Sequence, residues 1–196
     1  ALTWAVGSVM IKDLSKKMDP FTLNAPRSLV GGLAMFLLAI ATGKTAGYAG
    51  VTPLKFAFLI GSMAIGGGIG DILYTVSLSR IGVSRAYPIA SIHPAITLIL
   101  AVAFLHEAVN WMVIAGLILV IGGVFFISNT TKTGDASAAA SERTVAAPAQ
   151  TSGIALALIT ALCWAVATTM VSPGMKGLDP ITVASFRVPA LSLMLW

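Results

Sequence analysis

Long apolar runs decide what this chain can fold into. Phe21–Ala41, Leu54–Ser79, Ala86–Leu105, Trp111–Ser128 and Gly153–Val171 each approach the roughly 20 residues that cross a bilayer as a helix. Two further stretches, Ala1–Lys12 and Ile181–Trp196, have the same character and meet the ends of the chain. A soluble domain could not cover so much apolar surface. Hydrophobic residues make up 57% and charged residues only 10%, against about 25% charged in an ordinary soluble domain. The expected fold is all-α: a polytopic membrane helix bundle of seven helices, the first and last incomplete.

Ala1 and Trp196 both stand inside apolar runs, so the expectation is an internal piece of a longer protein. No basic segment precedes a cleavable apolar core, so no signal peptide is expected. The single Cys163 excludes an internal disulfide. In a soluble protein the formal charge of +5 would point to nucleic acid; here it reads as loop cations that orient helices and meet lipid headgroups, and no nucleic-acid partner is expected. The segment from Asn129 to Ser152 is rich in Ser, Thr and Ala, with charges of both signs. It reads as a flexible polar linker between units 1–128 and 153–196.

Those two units repeat one another. A shift of 160 positions carries Trp4 onto Trp164, Lys16 onto Lys176, Asp19-Pro20 onto Asp179-Pro180, Thr22 onto Thr182 and Arg27 onto Arg187. Unrelated apolar helices share Leu and Ala, but not Trp, Asp-Pro and Arg in register. Each unit holds five helices, an odd number, so the second copy enters from the opposite side of the membrane. That is a five-helix inverted-topology repeat, a plan that recurs in secondary transporters. The first copy is nearly complete; the second only begins.

Several residues, in order, resemble the drug/metabolite transporter superfamily and its EamA-type members. They are Trp4 and Lys12, Pro20 and Arg27, Tyr74, Pro94, Glu107, and Gly116 with Gly123. The resemblance covers nearly the whole chain. It departs at Trp4-Ala5 and Trp164-Ala165, where the family commonly has Trp-Gly, and at Leu105-His106-Glu107, where it favours Leu-Gly-Glu. The resemblance implies a ten-helix transporter that moves small organic metabolites, often outward, by alternating access. The expected location is a multi-pass position in the bacterial inner (plasma) membrane. Expected partners are a small metabolite, the lipid bilayer and, where transport is coupled, protons.

Asp71 is the sharpest anomaly. A carboxylate within a span costs about 2.5–3.5 kcal/mol on insertion scales, so it must face a cavity or a partner. Gly67, Gly68, Tyr74 and Thr75 lie one turn away and complete a small, polar stripe. Asp71 is either a substrate or proton-coupling residue, or a structural group bonded to a neighbouring helix. Ser62, Gly66 and Gly70, spaced by four, either let another helix approach closely or give flexibility for gating. His93 adjoins Pro94 mid-span, where a proline frees a carbonyl and breaks the helix. His93 either serves substrate and protons or makes an interhelical hydrogen bond. Tyr87, Ser91 and Thr97 are polar candidates beside it.

Trp4, Ser8 and Lys12 share one helical face, and the repeat matches the first two with Trp164 and Thr168. An aromatic and a hydroxyl from each half would line a central cavity, or simply pack. Arg27 and Arg187 read as interface or helix-entry anchors, and Glu107 as a structural or gating residue at a boundary. HEAVN lacks the second His of a zinc motif, and ATGKTAG lacks the first Gly of a phosphate loop. No metal, cofactor or catalytic residue is expected. The expected function is therefore a secondary transporter, with a passive pore or lipid-handling protein of the same fold as the alternative. A membrane enzyme is disfavoured because no catalytic spacing links His93, His106, Asp71 and Glu107.

Overall fold

A computed structural model of the chain describes residues 14, 20–134 and 147–195. Eight α-helices are defined there: α1 Pro20–Ala41, α2 Pro53–Met63, α3 Asp71–Ile81, α4 Val83–Ala90, α5 His93–Leu105, α6 Trp111–Gly134, α7 Ala147–Met175 and α8 Pro180–Leu195. A 3₁₀ segment, Lys44–Gly50, follows α1, and a π-helical segment, Ala64–Gly70, joins α2 to α3. No strand occurs among the described residues.

The ends of these helices follow from local chemistry. Pro occupies the first position of α1, α2 and α8, where its missing N–H costs nothing. Thr52 caps α2 by accepting from the Lys55 N–H, and Asp179 caps α8 by accepting from the Ile181 N–H. The chain turns out of α1 at Gly43 with φ 68°, a left-handed value that glycine adopts without strain. His106 takes the same region, with φ 52°, at the end of α5. Glycine would sit there more easily, which explains the Leu-Gly-Glu pattern from which this chain departs.

Two expected single helices turn out to be composite. The span Pro53–Ile81 runs unbroken for 29 residues, but its middle widens into the π-segment. Gly66, Gly67 and Gly68 there carry low helix propensity and leave room for the wider turn. The span Val83–Leu105 breaks at Ser91 and Ile92, just ahead of Pro94. Asn24–Ala41 and Gln150–Met175 are also long and apolar enough to cross a membrane, while Trp111–Val124 and Pro180–Met194 are shorter apolar helices. Helix reaches into both ends of the expected linker, as far as Gly134 and from Ala147; at the second end Ala147 and Ala149 favour it. Residues 135–146 lie outside the described part.

Exposure is distributed as lipid demands rather than as water demands. Leu29, Val30, Leu33, Phe104, Leu119 and Leu193 are exposed. Inside lie small residues such as Ala86, Ala90, Ala161 and Ala165, with buried hydroxyls from Ser62, Thr75, Thr160 and Thr182. Small and hydroxylated interfaces are what helix association in membranes favours.

Two antiparallel pairings organise the bundle. The most extensive helix contact joins α1 to α8, and these are the two copies of one repeat element. The 3₁₀ segment beyond the C-terminal end of α1 meets the N-terminal end of α8: Thr182 donates to the Lys44 carbonyl at 2.8 Å, and Tyr48 shares a hydrogen bond with Ser185 at 2.6 Å. Midway, Gly32 lies against Pro189. Equivalent helices therefore run in opposite directions, which is the signature of an inverted repeat. The second pairing lays α7 along α2, the π-segment and α3. Gly174 meets Leu59 at one end, Gly66 meets Ala167 near the middle, and Gly153 meets Ile81 at the other.

Where α1 turns towards α8, Lys44 and Asp179 form an ion pair at 2.9 Å. The hydrogen bond from Lys44, helped by the Ile181 N–H, holds the Asp179 carboxyl below the usual carboxylate range. A depressed folded-state value contributes stability that is present above the unfolded value and lost as pH falls through the folded one. The thermal stability of wild type over Asp179→Asn should therefore be constant from about pH 8 to 5 and vanish in acid, below about pH 4. Because the pair is exposed, the difference should be small and shrink with added salt. Melting curves of both proteins across that pH range check this.

Candidate functional site

A cavity of about 930 Å³ opens between α1, the π-segment, α3, α4, α5, α7 and α8. Asp71, His93 and Trp164 line it, and each lies near the middle of its span: Pro53–Ile81, Val83–Leu105 and Gln150–Met175. The floor of the site is thus near mid-span, where an unpaired charge is costly.

Asp71 is the first residue after the π-segment. The extra residue per turn rotates this carboxylate relative to an uninterrupted helix, and such segments recur at functional sites. Its two oxygens take different partners. Oδ2 accepts from Arg27 Nη2 at 2.6 Å, and Oδ1 accepts from Trp164 Nε1 at 3.0 Å. The aspartate side chain is 15% exposed and the arginine 41%, so this pair lies between a buried and a surface salt bridge. Thr75 Oγ1 donates to the Asp71 carbonyl at 2.8 Å and accepts from Asn24 Nδ2 at 3.4 Å, tying α1 to α3 a second time.

Trp164 sits at the centre of an aromatic group. Its ring lies 5.1 Å from Tyr74 and 5.5 Å from His93, the latter edge-to-face at 82°. Gly70 makes this position available: a Cβ there would come within 3.0 Å of the indole. His93 has a backbone task as well. Pro94 cannot donate to the Ala90 carbonyl four residues back, and His93 Nδ1 approaches that oxygen at 3.1 Å instead. A carbonyl only accepts, so Nδ1 carries the proton, and in the neutral ring Nε2 is left as an acceptor.

The comparisons with known proteins bear on what such a site belongs to. The model of the EamA-like transporter family matches residues 1–129. The chain belongs to that family. It is 27% identical to an uncharacterized transporter of Archaeoglobus fulgidus over 168 residues, which are 85% of this chain and 54% of the relative. It is 28% identical to the chloroplastic phosphoenolpyruvate/phosphate translocator 3 of Oryza sativa subsp. japonica over 111 residues, 57% of this chain and 28% of that protein. Against the uncharacterized transporter YvbV of Bacillus subtilis, identity is 22% over 141 residues, 70% of the chain and 45% of the relative. The chain spans about half or less of the length of these relatives. No solved structure matches. The family and the apolar helices make this a multi-pass membrane protein of the EamA-like transporter family.

Most of the residues singled out in this EamA-family chain come together. Asp71, Tyr74, His93, Trp164, Thr168 and Gly66 line the cavity, and Gly70 packs beneath Trp164. Arg27 and Arg187 also line it. They do not stand at an interface as helix-entry anchors, because the antiparallel packing of α1 on α8 turns both towards the same space. Pro94 acts one residue away, through the helix break. Glu107 is remote: it is exposed just past α5, where its N–H returns to the Ala101 carbonyl at 3.3 Å. Trp4, Ser8 and Lys12 lie outside the described residues. Asn24 and Ser28, both buried and both lining the cavity, had drawn no attention in the sequence. Their signal was present all the same: each lies one turn or less from Arg27 on α1.

Proposed function

We propose that the protein is a secondary transporter that exports small organic metabolites across the bacterial inner membrane by alternating access. The observation that carries this reading is a mid-span cavity bridged by a carboxylate with partners in both repeat units. Arg27 and Asp71 belong to unit 1–128, whereas Trp164 belongs to unit 153–196, with 129–152 as their connection. Two bodies related by an inverted repeat and meeting at such a site are suited to rocking about it. The cavity volume, about 930 Å³, lies within the range of about 300–1,000 Å³ typical of small-molecule sites.

In this reading Asp71 is the coupling carboxylate. A proton delivered to it cancels the charge that holds Arg27 and weakens the acceptor of the Trp164 indole, loosening the tie between the units. Intramembrane carboxylates serve proton relays in this way in pumps and transporters. The test is uptake of a pooled metabolite mixture into proteoliposomes holding the intact protein, with and without an imposed pH gradient. Accumulation of one compound class only under the gradient is expected. Equilibration that ignores the gradient would make the protein a passive pore of the same fold and remove coupling from Asp71.

A further inference from the structure

Arg27 and Arg187 are copies of one residue, yet they are partnered differently. Both guanidinium groups line the cavity. Arg27 holds Asp71. Arg187 donates from Nε to Ser62 Oγ at 3.1 Å, a neutral acceptor, and among the described residues no carboxylate is paired with it. With Asp71 cancelling Arg27, the described lining keeps an excess of one cation.

The geometry suits that cation to an anionic group. A guanidinium presents five donors in a rigid plane that matches two oxygens of a carboxylate or phosphate at once. The Nε bond to the buried Ser62 pins one edge of the plane and sets its orientation, while the terminal nitrogens remain for a ligand. Asn24, Ser28 and Thr168 supply neutral polar atoms elsewhere in the same lining, and Tyr87 and Trp164 offer rings for an apolar body. A half-buried guanidinium whose bond is to a neutral hydroxyl carries a desolvation cost, and an anionic occupant would remove it.

We infer that Arg187 binds an anionic group, carboxylate or phosphate, of the transported molecule, which does for Arg187 what Asp71 does for Arg27. The inference rests on the transporter reading above and adds the chemical class of its substrate.

The experiment uses proteoliposomes of the intact protein and four labelled probes: malate, glycerol 3-phosphate, putrescine and uridine. At least one of the two anions should enter, and which one does separates a carboxylate site from a phosphate site. Arg187→Gln should lower that uptake by about tenfold or more, and Arg187→Lys should raise its KM severalfold with kcat nearly kept, because a point charge replaces the fork. Ser62→Ala, which removes the pin but no charge, should raise KM less than Arg187→Gln. Uptake of putrescine or uridine without either anion would overturn the inference, as would Arg187→Gln with the wild-type KM for the anion. A protein carboxylate paired with Arg187 would give that last result together with a lowered melting temperature. Should none of the four probes enter while the pooled mixture still moves, the anionic assignment falls and the transporter reading stands. No flux of any compound would remove both.

Discussion

Asp71→Asn is expected to lower transport by at least about tenfold and to lower the melting temperature as well. The substitution keeps the size of the side chain and an oxygen for the Trp164 indole, but takes the counter-charge from Arg27 at 2.6 Å. Removing one partner from a fully buried pair costs about 3–5 kcal/mol, and from an exposed pair about 0–1 kcal/mol. This pair lies between those limits, so a loss of about 2 kcal/mol is expected. The double variant Arg27→Gln/Asp71→Asn separates the two roles. With both charges gone, no cation is left stranded, and thermal stability should return towards wild type. Transport should not return, because the group that exchanges partners is still missing. Wild-type uptake by the double variant would show that the pair only braces α1 against α3. Melting curves and proteoliposome uptake on the three proteins make the comparison.

Gly32→Ala should be among the most damaging single-methyl changes in the bundle. A Cβ at this position would lie 2.8 Å from the backbone nitrogen of Pro189 and 2.9 Å from its Cα. Those atoms cannot swing aside as a side chain can, and the proline ring holds its own φ fixed. The methyl group must push α1 away from α8, the contact between the two copies of the repeat. Overpacking of this kind costs about 1–3 kcal/mol, and the upper end is expected here. The neighbouring Gly31 is the control. A Cβ there meets only Val188 Cγ1, at 3.8 Å, an ordinary contact, so Gly31→Ala should melt at or slightly above wild type, since Ala is the better helix former. Equal melting temperatures for Gly32→Ala and wild type would mean that α1 and α8 do not pack as described.

Much of the candidate site was legible before any fold was known, for one reason: lipid makes polar residues conspicuous. Asp71 and His93 stood out because each interrupts an apolar span, and Trp164 because the repeat gave it a copy. The same logic applied to Asn24 and Ser28, but single uncharged polar residues are cheap enough in a span to pass as ordinary. Arg27 was visible as a charge and misplaced as an anchor. Its partner lies 44 positions away, and nothing in the local pattern links the two. The π-segment was half visible, since Gly66, Gly67 and Gly68 announce a weak stretch of helix. Whether such a stretch bends, widens or merely packs depends on what lies against it.

By itself the sequence determined that this chain is a membrane protein of helices and that its two ends carry copies of one element in opposite orientation. Both conclusions rest on properties that add up along the chain: hydropathy over 20 residues, and parity over five helices. Tertiary structure alone decided that Arg27 would hold Asp71, that Trp164 would bridge from the second unit, and that Arg187 would be left on a neutral serine. Those outcomes depend on which faces the antiparallel pairs α1–α8 and α7–α3 turn inward. In lipid no hydrophobic force selects those faces, so close packing at glycines and hydrogen bonds between helices must do so.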